Sequence, residues 1–181
     1  MTEWREVCLG DYAKVLGGYA FKSTDFLPYG DYPVIKIKNI AKGYLDMSEC
    51  QYISSSIAAQ ASRFKAEYGD ILIAMTGSHI TQPSSMVGRV AKYNIHVESY
   101  INQRVGKVIS IDKSLLDTNF LYYFMTCEDT TYSLANIASG SANQANISSE
   151  QIESLELLLP DIDEQKAIAE VLSSLDDKID L

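Results

Sequence analysis

Histidine is nearly missing from this chain: His79 and His96 are the only two, which removes most of the imidazole ligands on which transition-metal sites depend. Cysteine is also scarce. Cys8, Cys50 and Cys127 are odd in number, far apart and never spaced C-x-x-C, which argues against a disulfide scaffold or zinc site and for thiols in the interior. No metal and no cofactor is expected. No apolar run approaches the roughly 18 residues of a membrane span, and the opening MTEWREVCLG lacks the basic and apolar segments of a signal peptide. The expectation is a cytoplasmic protein with no membrane partner. A phosphate-binding signature is missing too: GSHITQPSSMVG (77–88) has no Gly-Lys-Ser/Thr after it, and GGYAF (17–21) falls short of a dinucleotide fingerprint.

Basic residues are outnumbered, 15 against 24 acids, for a net charge of −9. A strongly acidic chain is a poor partner for nucleic acid, but the charge is unevenly placed. Residues 148–181 carry −8, the preceding 147 residues only −1, and the stretch 22–107 is +3. A modestly basic body with an acidic tail can hold DNA, though not strongly by charge alone.

The chain's 181 residues, 46% hydrophobic, suffice for one ordinary domain with an appended element. YPVIKIKNI (32–40), GDILIAM (69–75), MVGRVAKY (86–93) and QRVGKVISI (103–111) are β-branched, partly alternating and bounded by Gly, Pro, Asn or Asp, and they read as strands. DTNFLYYFMTC, from Asp117, has an N-cap and an apolar stripe at helical spacing, and TTYSLANIASG ends at Gly140, a suitable residue just beyond a helix. The first 110 residues read as mostly β and the rest as mostly α, so the fold class is α+β: a β-rich domain with small helices and a C-terminal amphipathic helix of coiled-coil type. The expected division is a domain over 1–147, a connection over 148–160 and a helix over 161–181.

Ser148 with Gln151, and Asp161 with Glu164, have capping-box spacing. On the last helix Ile168, Leu172, Leu175 and Ile179 are spaced 4, 3, 4, with Val171 widening the stripe. Such a stripe serves equally for a helix lying on its own domain and for one that pairs with a partner. The chain ends without a cap signal, which reads as the beginning of a longer helix.

For catalysis, a nucleophile needs a base and an orienting group. Ser78 and His79 are adjacent, so their side chains diverge on an extended backbone, and a triad through His96 has no support in spacing. For nucleic acid the residues are more numerous. Between two strands, 76–85 holds Thr76, Ser78, His79, Thr81, Gln82, Ser84 and Ser85, more than a turn of two to five residues requires. Lys22 and Ser23 follow GGYAF; Lys36, Lys38 and Asn39 run along a strand into a turn; Gln103 and Arg104 open another strand; GSANQAN supplies Asn143 and Gln144. Asn and Gln can pair bidentately with adenine and Arg with guanine, while Lys holds phosphates.

In order along the chain, LGDYAKVLGGYAFKSTDF (9–26), GDYPVIKIKNI (30–40), GDILIAMTGS (69–78), VESYINQRVGKV (97–108), NFLYYFM (119–125) and IASGSANQANISSEQIESLELLLPDIDEQKAIAEVLSSLDDKI (137–179) resemble the specificity subunit of type I restriction-modification systems. The resemblance is to one half of that subunit, a target recognition domain followed by a conserved-region helix. It implies a non-catalytic protein that binds one part of a bipartite double-stranded DNA target. The helix would act as spacer, pair with a second half-subunit or a second copy through Ile168, Val171, Leu172, Leu175 and Ile179, and dock the adenine methyltransferase and restriction subunits. The family loop after GDILIA is often short and Gly-rich, whereas TGSHITQPSSMVG is longer. The resemblance makes 76–85 a reading loop. The competing readings are an interaction adaptor with an oligomerising helix, and an enzyme using Ser78 or His79.

Overall fold

A computed structural model describes residues 3–78, 87–141 and 144–179. The elements in chain order are β1 (Arg5–Cys8), β2 (Ala13–Gly17), β3 (Tyr32–Ile35), β4 (Gln51–Ile53), α1 (Ser55–Gln60), β5 (Lys65–Ala66), β6 (Ile71–Ala74), β7 (Thr76–Gly77), β8 (Val90–Lys92), β9 (Ser99–Ile101), β10 (Val105–Ser110), α2 (Thr118–Thr126), α3 (Glu128–Ile137), β11 (Ser139–Ser141), β12 (Gln144–Asn146), α4 (Ser149–Glu153), β13 (Glu156–Leu159) and α5 (Ile162–Ile179). The mixed, sheet-rich α+β character agrees with the sequence reading.

The order β2-β10-β6-β8 defines a central antiparallel sheet, and β4-β3-β9-β5 a second sheet that stands against it. The run ILIA of β6 shows why the central strand has no polar alternation. Ile71 and Ile73 enter one core with Val15, Val108, Phe120, Leu121, Met125 and Leu134. Leu72 and Ala74 point the other way, into a core shared with Ile35, Tyr93, Ile101 and Val105. A strand covered on both faces buries every side chain, so a short continuous apolar run is what the position requires. Beyond the second sheet, α1 closes a smaller aromatic core around Phe21, Val34, Ile53 and Tyr100.

Helix starts follow their cap residues. Asp117 accepts from the amides of Asn119 (2.9 Å) and Phe120 (3.0 Å) to open α2. Ser148 and Gln151 make the reciprocal capping box of α4, and Asp161 Oδ1 accepts from the amides of Asp163 and Glu164 to open α5.

Several boundaries differ from the sequence reading. The strand expected over 32–40 stops at Ile35, and a 3-10 turn over Ile37–Asn39 follows. Gln103 and Arg104 do not open a strand; they form the two-residue turn that carries the chain from β9 to β10. Gly140 is not the residue after a helix: α3 ends at Ile137, and Gly140, at φ +128, sits in β11 where a Cβ would meet the Gln144 carbonyl at 2.3 Å. The thiols expected in the interior are exposed at Cys8 and Cys127 and half-buried at Cys50. Finally, 148–160 is woven into the main core. β13 pairs antiparallel with β1, and Ile152, Leu155, Leu157 and Leu159 are buried in the core under the central sheet.

Candidate nucleic-acid interface

Strand registers bring the ends of both sheets to one rim. In the central sheet Gly17 of β2 lies opposite Gly106, Ala74 of β6 opposite Val105, and Val90 of β8 opposite Ile73, so the loops after β2 and β6 and those before β10 and β8 leave from the same end. In the second sheet Ile35 lies opposite Ile101, Val34 opposite Gln51 and Lys65 opposite Tyr100, so the ends of β3 and β9 and the starts of β4 and β5 meet there too. The turn Gln103–Arg104 spans the two sheets. The Gln103 amide donates to the Tyr19 carbonyl (2.9 Å), and the Arg104 carbonyl accepts from the Met75 amide (2.9 Å).

This arrangement joins polar segments that are far apart in sequence. After β6 the chain enters β7, where Ala145 lies opposite Gly77 and Asn146 opposite Thr76, and β12 in turn pairs with β11. The TGS and GSANQAN motifs are thus one three-stranded ribbon at the rim, with Ser139, Ser141, Gln144 and Asn146 exposed. Thr76 Oγ1 donates to Asn146 Oδ1 at 2.8 Å, tying the two motifs directly.

The expected reading residues divide sharply. Lys22, Ser23, Gln103, Arg104 and Gln144 are exposed. Thr76 and Ser78 are buried, so they build the ribbon's root and do not present their hydroxyls. Asn39 is a correction: it is 1% exposed. Its Oδ1 accepts from the Lys36 amide (2.9 Å), and its Nδ2 donates to the carbonyls of Asp46 (2.8 Å) and Glu49 (3.2 Å). A buried amide whose two donors are both spent on backbone carbonyls closes the 36–51 turn and is not presented to a base edge. His79, Thr81, Gln82 and Asn143 lie outside the described residues.

The cations are mostly engaged. Lys38 pairs with Glu49 (3.1 Å), Lys42 with Glu128 (3.2 Å), Lys65 with Glu98 (2.9 Å) and Lys107 with Asp70 (2.8 Å). Lys36 is half-buried, its ammonium 3.4 Å from the centre of the Phe26 ring and hydrogen-bonded to Gln51, and burial, with Lys38 second, pushes its pKa down. Lys22 and Arg104 remain on the rim without an ion pair among the described residues. Arg63 joins them there. Antiparallel pairing of β5 with β9 brings the 3-10 turn Ser62–Phe64 to the end of β9, and the Phe64 ring centre lies 5.4 Å from that of Tyr19. Nothing local in the sequence distinguishes Arg63, because its place depends on a strand pairing across 35 residues.

Among the described residues no group of three or more His, Cys, Asp or Glu is placed to hold a metal ion, and no helix is long and apolar enough to cross a membrane.

The seam on α5 is also divided. Ile168 packs on the domain's own core with fully buried Ala169 beside it, and Leu172 is half-buried. Val171 and Leu175 are 61% and 49% exposed. The side chain of Ile179 lies outside the described atoms.

Comparison with known proteins adds to this geometry. The family model described as type I restriction modification DNA specificity domain matches residues 1–181. The MjaVIII type I restriction enzyme specificity subunit of Methanocaldococcus jannaschii is 25% identical over 183 aligned residues, which cover 99% of this chain and 41% of that protein. The S subunit of a type I restriction-modification system from M. genitalium superposes with a TM-score of 0.68 at 18% identity, over 99% of this chain and 40% of the other. The HsdS subunit from Thermoanaerobacter tengcongensis gives 0.65 at 17%, over 97% and 38%. The chain spans 34% and 41% of the length of two curated relatives that it matches.

Proposed function

This chain belongs to the type I restriction modification DNA specificity domain family, and from that premise we propose that it reads one part of a two-part double-stranded DNA target for an adenine methyltransferase subunit and a restriction subunit that dock on it. The observation that carries the reading is the convergence of both sheets' ends at one rim, where the exposed Gln103–Arg104 turn stands beside the ribbon bearing Gln144 and Asn146. Gln, Asn and Arg are the side chains that discriminate adenine and guanine in the major groove. A rigid sheet end holds them in register.

The helix α5 supports a second role. Val171 and Leu175, exposed next to half-buried Leu172, leave an apolar strip for the corresponding helix of a second copy or a second half-subunit. The chain itself is proposed to be non-catalytic, with methyl transfer and cleavage on the partner subunits. Because the lysines 38, 42, 65 and 107 are already neutralised by carboxylates, the isolated chain should bind DNA weakly, and the methyltransferase should supply the missing positive surface.

The test is co-expression of the chain with its cognate methyltransferase subunit in a host lacking the system, followed by mapping of methylated adenines. A new two-part motif is expected. Arg104→Ala and Gln103→Ala should relax or abolish one position of that motif while the domain melts normally; each base contact is worth about 1–3 kcal/mol. Unchanged methylation patterns in both variants would remove this turn from the interface, and no new methylation with the intact chain would overturn the reading.

A further inference from the structure

We infer that Gln165 is a positioning residue that fixes the angle at which α5 leaves the domain. Its side chain is fully buried. The Oε1 atom accepts from the Asp117 amide at 2.9 Å, and Nε2 donates to the carbonyls of Leu115 (3.0 Å) and Pro160 (2.9 Å). These three partners come from two places: Leu115 and Asp117 from the entry to α2, Pro160 from the end of the segment that leads into α5. One side chain therefore ties the base of the last helix to the start of the helix it packs on.

The amide orientation is unambiguous. Reversed, the NH2 group would face the Asp117 N–H and the oxygen would face two carbonyls, so only one arrangement satisfies all three partners. Apolar contact alone would not define the angle. In the stretch of α5 lying against α2, Ala169 is the buried apolar residue and Ile168 and Leu172 are half-buried. Hydrophobic contact is non-directional, so one buried alanine and two half-buried aliphatic side chains set the angle only loosely. Hydrogen bonds from a buried amide are directional, and a pivot leaves two carbonyls and an N–H without partners. Farther along, Tyr123 Oη donates to Asp176 Oδ2 at 2.8 Å, a second tie on the same face.

The consequence rests on the proposed function. If α5 sets the distance between two recognition units, the angle held by Gln165 sets the spacing between the two parts of the target. Gln165 touches no base, and it would select spacing without altering either half-site.

Two measurements separate this inference from the functional reading. In the 181-residue chain with Cys8, Cys50 and Cys127 changed to Ser, spin labels are placed at Ala59→Cys on α1 and Ser174→Cys on α5, and the distance between them is measured by double electron–electron resonance. The parent should give one narrow distance population. Gln165→Met, which keeps the volume and removes all three bonds, should broaden it, as should Gln165→Glu, which keeps the acceptor and removes both donors. In cells co-expressing the methyltransferase, the parent should methylate one spacing, and Gln165→Met should keep both half-site sequences but methylate at more than one spacing. A narrow distance distribution in both variants, or a single unchanged spacing at lower yield, would overturn the inference and leave Gln165 an ordinary packing residue. Absence of methylation with the parent chain would overturn the functional reading, and the distance measurement would still decide the role of Gln165.

Discussion

Gly17 and Gly18 are neighbours in sequence, yet alanine substitution should affect them very differently. A Cβ on Gly18 would lie 2.3 Å from the Asn102 carbonyl oxygen and 2.4 Å from that of Ile101, both backbone atoms that cannot rotate away. A Cβ on Gly17 meets nothing within 4 Å. Gly18 sits where the central sheet hands over to the second: its amide donates to Val105 (3.1 Å), and the next amide, of Tyr19, donates to Ile101 (2.8 Å). Overpacking costs roughly 1–3 kcal/mol, and stretching two or three backbone hydrogen bonds at this junction adds about 0.5–1.5 kcal/mol each. Gly18→Ala should therefore lose about 2–7 kcal/mol, a large share of a typical domain's stability of about 5–15 kcal/mol. At about 2–4 °C per kcal/mol for a chain of this size, the midpoint should fall by about 10 °C. Gly17→Ala should stay within about 0.5 kcal/mol of the parent. Thermal and urea unfolding followed by circular dichroism measures both. Equal midpoints for the two variants, or a silent Gly18→Ala, would refute the close approach of β2 to the 101–102 backbone.

Asn39→Ala should lower stability by about 1–3 kcal/mol, because it removes the partner of the Lys36 amide and of the Asp46 and Glu49 carbonyls around a buried side chain; urea unfolding that shows no loss would refute its role in closing the turn. Val171→Asp with Leu175→Asp should leave the melting midpoint within about 0.5 kcal/mol of the parent, since both positions are exposed, while light scattering should show loss of any helix-mediated oligomer; an unchanged oligomer would place the contact elsewhere. Tyr100 and Tyr123 are each pushed up to about 12, by burial first and then by the carboxylates of Glu98 and Asp176. Their folded pKa values lie above the unfolded value of about 10, so the stability they confer is complete below pH about 10 and is lost as pH rises toward about 12. Phenolate absorbance should contain a late-titrating component that shrinks in Tyr123→Phe and shrinks further when Tyr100→Phe is added; a single titration with its midpoint near pH 10, unchanged in both variants, would contradict both assignments.

Local chemistry determined much of this protein. The cap residues Asp117, Ser148 and Asp161 open the helices where their short-range hydrogen bonds require them to, and the run ILIA identified a strand, because caps and periodicity act within a few residues. The polar segments that make up the rim were legible one by one for the same reason. Their assembly was not. That TGS and GSANQAN form one ribbon, that β1 closes on β13, and that the 62–64 turn carrying Arg63 is brought to the end of β9 are results of strand pairings between residues tens of positions apart. Exposure, too, was decided at the tertiary level. Asn39 and Gln103 are both polar turn residues in sequence, but one is enclosed by the carbonyls of the 36–51 turn and the other stands out from the junction of two sheets. Gln165 reads in sequence as one more polar residue on an amphipathic helix. Only packing against the entry to α2 places it among two carbonyls and an amide in the interior, since a buried polar side chain is defined by the partners that surround it.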